Sequence, residues 1–131
     1  MSKKVAENKS YIRNADEKGS INISEDVIAV IAAAAALEVE GVHSLFFAHG
    51  RDLTYMLSKK GLAKDVKLTV DGDDIVVEMS IIVEMGYSVS EIGAEIQKGI
   101  ISAVEAAAGV TVRAVNVHIC GISPKRASRA L

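Results

Sequence analysis

Tryptophan is absent from this 131-residue chain, and aromatic rings are few: Tyr11, Phe46, Phe47, Tyr55 and Tyr87. Its interior must therefore be built from Val, Ile, Leu and Ala, where cutting a buried Ile back to Ala costs about 2–5 kcal/mol. Cysteine occurs once, at Cys120, which excludes an internal disulfide and fits a reducing cytoplasm. Long apolar runs are missing too. The longest, residues 27–37, has eleven residues, against the ~20 needed to span a bilayer. The first residues carry bases but no apolar stretch of the kind a secretory signal requires. The expectation is a cytoplasmic protein that neither crosses nor enters a membrane by itself.

A small net charge of −2 conceals an uneven distribution. Residues 1–18 hold five bases and three acids, residues 121–131 hold Lys125, Arg126 and Arg129 with no acid, and the body between is acidic, at −7. A folded face that binds duplex nucleic acid should be basic. An acidic body with short basic ends argues against that function, although the ends could still meet phosphates or an anionic surface.

Half the residues are apolar, enough for one domain with a real core. Residues 1–18 are polar and aperiodic and read as a flexible tail. Alternation at Ile21 and Ile23 marks a short strand. Ser24 is placed to cap a helix running to about Glu38, with Val27, Ile28, Ile31, Ala35 and Leu37 as its apolar stripe and the alanines 32–36 allowing close approach to a neighbour. Residues 42–47 suggest a short strand, and 51–60 have helical spacing, forming either a helical turn or a mobile flap. Strands at 66–70 and 75–83 flank Asp71-Gly-Asp-Asp, a hairpin turn. A long helix follows from the capping pair Ser88 and Glu91. Its core face reads Ile92, Ile96, Ile100, Ala103, Val104 and Ala107, and Gly109 ends it. The last strand, 110–120, turns Val115, Val117 and Ile119 inward, leaves Asn116 and His118 on a wet face, and closes at Gly121.

Little in this pattern resembles chemistry. No two of His43, His49 and His118 stand at metal-ligand spacing on one element. Cys120 has no Cys-x-x-Cys partner and reads as a buried, inert thiol. His118 and Cys120 could share a strand face, but no oxyanion-hole element accompanies them. The Asp71-Gly-Asp-Asp turn lacks the rest of a calcium loop, and no Gly-rich phosphate loop is present. No catalytic, cofactor-binding or metal-binding residue is assigned, and no cofactor is expected.

A surface is a better candidate. Residues 42–64 combine three of the five aromatics with other apolar residues in the least regular part of the chain. Phe46, Phe47, Leu53, Tyr55, Met56, Leu57, Lys59 and Lys60 form the candidate partner surface, because exposed apolar patches mark interaction sites. The basic run 59–64 offers an alternative, a small RNA-binding loop, though without an aromatic stacking platform.

The motifs Gly19-x-Ile-x-Ile-Ser, Glu38-Val-Glu-Gly-Val, Gly86, Ile96-Gln97 and Val115-Asn-Val-His-Ile-Cys-Gly-Ile occur in an order and spacing that resembles the alkaline shock protein family of Gram-positive bacteria. The likeness covers about residues 19–122. It implies a non-enzymatic cytoplasmic protein linked to cell-envelope stress, some of whose relatives are held at the membrane by a separate anchor protein and others tied to fatty-acid synthesis or growth. No catalytic residues come with the resemblance.

The sequence thus predicts an α+β two-layer sandwich, a mixed sheet with two main helices packed on one face. A single domain over 19–122 would lie between flexible tails at 1–18 and 123–131. The strand–helix–strand unit over 75–120 should place its strands parallel, with a right-handed crossover. The expected function is that of a non-enzymatic scaffold or regulator of envelope homeostasis. It would work through a protein partner, with a membrane-anchor protein as one candidate, and as a homo-oligomer.

Overall fold

The alternation of residues 74–84 organises the sheet. In the computed structural model, which describes residues 11–48, 50, 62 and 64–124 (side chains from residue 15 onward), this stretch is the strand β5 (Asp74–Glu84). Ile75, Val77, Met79, Ile81 and Val83 are all fully buried, while Glu78 between them is exposed. One face of the strand meets the helices and the other meets water.

Before it lie β1 (Tyr11–Asp16), β2 (Gly19–Ser24), α1 (Glu25–Leu37), β3 (Val42–Leu45) and β4 (Val66–Asp71). After it come α2 (Val89–Ala108) and β6 (Thr111–Ser123). β4 pairs antiparallel with β5 from Val66↔Met79 to Asp71↔Asp74, and β3 pairs antiparallel from Val42↔Val83 to Leu45↔Ile81. β6 pairs parallel along the whole of β5, from Asp74↔Thr111 to Glu84↔Ser123. A strand has two edges, so β3 and β4 share one of them end to end and β6 takes the other. The architecture is the expected α+β one, with the hairpin antiparallel and the strand–helix–strand unit parallel.

Local signals set both helices. Ser24 accepts the Asp26 N–H at 3.1 Å and Ser88 accepts the Glu91 N–H at 3.4 Å, each supplying one of the acceptors that a helix start lacks. Gly109 closes α2 in the left-handed region, φ 68°. The core face of α2 is Ile92, Ile96, Ile100, Val104 and Ala108. Ala108, not Ala107, ends this stripe, four residues beyond Val104. On α1 the buried face is Ile28, Ala29, Ala32, Ala33 and Ala36, and Val27 is 48% exposed. The helix is apolar almost all round, and four of the five residues on its buried face are alanines, which let it approach its neighbours. A Cβ built on Gly99 of α2 would stand 4.0 Å from the Ala35 carbonyl oxygen.

Three expectations change. Residues 11–16, read from the sequence as part of a mobile tail, form β1 and pair with β2 from Tyr11↔Ser24 to Asp16↔Gly19. The two-residue turn is tied by the Lys18 N–H donating to Asp16 Oδ1 at 2.8 Å. Its Glu17-Lys18 sequence lacks the Asn-Gly signature that makes hairpins legible. β6 does not close at Gly121 but runs on to Ser123. Between Ile81↔Ile119 and Ile82↔Gly121 the register slips, leaving Cys120 as the extra residue of a bulge. The third expectation is overturned as well: Cys120 is an exposed free thiol rather than a buried one, continuing the alternation that puts Asn116 and His118 on the wet face.

Candidate functional site

The turn Glu38-Val-Glu-Gly-Val joins α1 to β3, and its backbone is closely constrained. The Glu38 and Val39 N–H groups donate to Ala35 O and Ala36 O at 3.3 and 3.1 Å, and the Val42 N–H donates to Val39 O at 3.1 Å. Gly41 sits buried between them at φ +99°. A Cβ there would lie 2.7 Å from Ile92 Cδ1 and 3.0 Å from Tyr87 Cγ. Only glycine offers both the left-handed backbone and the missing volume. Tyr87 and Ile92 therefore close down on the chain at this point, and the Tyr87 hydroxyl donates to Glu40 Oε2 at 3.4 Å.

An open groove of about 670 Å³ lies over this contact, between the end of α1 and the first half of α2. Ala35, Val39, Ile92 and Gly99 give it apolar lining, and Glu38, Glu40, Glu91 and Glu95 bring four carboxylates against the single ammonium of Lys98. All four glutamates are exposed. The groove thus combines apolar contact with an acidic rim, a chemistry suited to a segment that carries both Lys or Arg and small apolar side chains. Sequence reading missed this groove as a site. Residues 38–42 stood out there only as a motif, and nothing local shows that the later stretch 87–102 faces them.

Of the surface proposed from sequence, Phe46 and Phe47 are described. They make an edge-to-face pair with centroids 4.9 Å apart, Phe46 half-buried and Phe47 57% exposed. Leu53, Tyr55, Met56, Leu57, Lys59 and Lys60 lie outside the described residues, as does most of the basic run; Lys64, at its end, is exposed. The chain leaves β3 and returns to β4 at one place, and Asp65 fastens it there. Its carboxylate, 1% exposed, accepts the Phe47 N–H at 2.8 Å (Oδ1) and 3.1 Å (Oδ2) and the Ala48 N–H at 3.2 Å. Burial pushes this carboxyl above its usual 3.8, against the opposing pull of the backbone N–H groups of Phe47, Ala48 and Phe46. In sequence Asp65 is one acid beside Lys64, indistinguishable from a solvated one.

The histidines are dispersed. His43 Nδ1 stands 3.6 Å from Glu84 Oε2, His118 is exposed on the wet face, and His49 lies outside the described residues. Cys120 Sγ meets the His118 carbonyl oxygen at 3.7 Å. Among the described residues no group of three or more His, Cys, Asp or Glu side chains could hold a metal ion, and no helix is long and apolar enough to cross a membrane.

Known proteins resemble this chain over almost all of its described length. An uncharacterized protein of Streptococcus pyogenes serotype M6 is 36% identical over 105 residues, 79% of each chain. The uncharacterized protein YloU of Bacillus subtilis is 31% identical over 106 residues, 79% of this chain and 88% of its own. Among solved structures, a MamM CTD matches with a TM-score of 0.46 at 18% identity, over 74% of this chain and 94% of that one. Residues 13–124 match the family model of alkaline shock protein 23, described as a family of cell envelope-related function.

Proposed function

The chain belongs to the alkaline shock protein 23 family, whose function is cell envelope-related, and within that role we propose that it is a non-enzymatic adaptor that docks a basic segment of a protein partner in the groove between α1 and α2. The observation behind this reading is the lining itself: four glutamates around an apolar strip between two helices. Exposed ion pairs contribute only about 0.2–1 kcal/mol each, so the acidic rim selects and steers a partner, while apolar contact with the half-buried Val39 and the exposed ring of Tyr87 supplies the rest of the affinity. The reading replaces an enzyme's small concave site with a recognition surface and gives the Glu38-Val-Glu-Gly-Val motif a task. Recruitment to the envelope then comes through the partner.

A fluorescein-labelled eight-residue peptide alternating leucine with arginine is a direct probe. Titrated into the isotope-labelled protein, it should shift the backbone amide signals of residues 35–40 and 87–102. Binding should weaken between about 0.05 and 0.5 M salt, because charges beyond a Debye length of roughly 10 Å at 0.1 M are screened. Shifts confined to residues 46–48 and 64–66 would move the docking surface to the segment after β3 and overturn this assignment.

A further inference from the structure

Where the chain goes after β6 bears on what fills the groove. Ser123 ends β6, and its carbonyl oxygen accepts the Met85 N–H at 2.9 Å. Two residues beyond Met85, Tyr87 lines the groove. Residues 124–131 therefore start beside the end of the helix pair where the groove opens. They hold Lys125, Arg126 and Arg129, no acid, and the small apolar residues Ala127, Ala130 and Leu131. The route between is apolar: Met85, Tyr87 and Val89 are 54%, 41% and 38% exposed.

From this placement we propose that the chain's own basic segment 125–131 occupies the acidic groove of the same molecule, so that a partner must displace it. The inference rests on the reading of the groove as a docking surface for basic segments. Length permits it. Eight residues reach about 26–29 Å when extended, while the stretch of α2 along the groove, residues 88–102, is about 21 Å long at 1.5 Å per residue. Charge favours it too, with three cations against four carboxylates and one ammonium. Tethering raises the segment's effective concentration at the groove to the millimolar range. A free partner segment of similar chemistry therefore competes against an occupant that is already in place.

Two measurements on the full chain decide the matter. In the first, an equal mixture of ordinary and nitrogen-15-labelled protein is treated with a zero-length carbodiimide, and the products are mapped by mass spectrometry. The expected product joins Lys125 to Glu38, Glu40, Glu91 or Glu95 in peptides that are wholly light or wholly heavy. Mixed-label peptides would assign the groove to a second copy and overturn the intramolecular proposal, as would the absence of any link from Lys125 to these glutamates.

The second compares the leucine–arginine probe peptide on the wild-type chain and on Lys125→Glu/Arg126→Glu/Arg129→Glu. Release of the internal competitor should tighten binding about tenfold, given a tether concentration in the millimolar range. Equal affinity for both chains would overturn the inference while leaving the docking surface intact. Binding to neither would overturn the docking reading and this inference with it.

Discussion

The Asp65 carboxylate accepts the backbone N–H of Phe47 at 2.8 Å. This contact joins the end of β3 to the start of β4 across eighteen positions of sequence. Asp65→Ala removes the acceptor for Phe47 and Ala48 in a buried setting. An unsatisfied buried donor costs about 1–3 kcal/mol, so the substitution should lower unfolding free energy by about 2–4 kcal/mol in a urea titration. Asp65→Asn keeps one acceptor oxygen and should cost less than the alanine variant.

The same carboxyl gives a pH signature with a definite sign. Burial raises its folded-state value above the usual 3.8, so between those two values the folded protein binds more protons than the unfolded one. Stability from this group is full below 3.8 and is lost as pH rises through the raised value. The wild-type urea midpoint, referenced to that of Asp65→Asn, should therefore fall as pH increases through this window and level off above it. A rising difference would reverse the assigned shift.

Two glycines should respond in opposite directions to alanine. At Gly41 the backbone is at φ +99° and the added Cβ would lie 2.7 Å from Ile92 Cδ1. Backbone strain and overpacking each cost about 1–3 kcal/mol, and the melting temperature should fall by many degrees. Gly93 lies within α2 with nothing within 4 Å of its virtual Cβ. Gly93→Ala should stabilise by about 0.5–1 kcal/mol, the helix-propensity difference between the two residues. Thermal melts of the two variants test both.

Gln97 and Val115 test the outer edge of the sheet. The Gln97 side-chain amide donates to the Val115 carbonyl oxygen at 3.0 Å, tying α2 to β6, whose pairing partner is β5. Gln97→Ala should cost about 0.5–1.5 kcal/mol and speed amide hydrogen exchange in residues 113–117 more than in β4.

Where the sequence was legible, the determinants were local. Ser88, Glu91 and Gly109 lie within or next to the turns they terminate, and Asp71-Gly-Asp-Asp states its own hairpin. α2 and the β4–β5 pair could be read directly for that reason. Asp65 was illegible because its donors lie seventeen and eighteen positions away. The exposure of Cys120 was within reach of the sequence, since it continues the alternation that puts Asn116 and His118 on the wet face; the slip against Ile81 and Ile82 of β5 was not, being a property of the pair rather than of β6. β1 was hidden by polar residues and an undistinguished turn. The groove combines both cases, since Glu38 and Glu40 carried a motif, yet Glu91 and Glu95 join them only once the two helices pack.

The most direct test of the docking account is a fluorescence anisotropy titration of the labelled leucine–arginine peptide against the wild-type chain and against Glu38→Gln/Glu40→Gln/Glu91→Gln/Glu95→Gln. All four residues are exposed, so thermal melts of the two proteins should agree within a few degrees. Loss of four rim contacts at about 0.2–1 kcal/mol each predicts binding weakened by roughly fourfold to several hundredfold, with most of the salt dependence gone. Undiminished affinity in the quadruple variant would show that the groove between α1 and α2 is not where a basic segment docks.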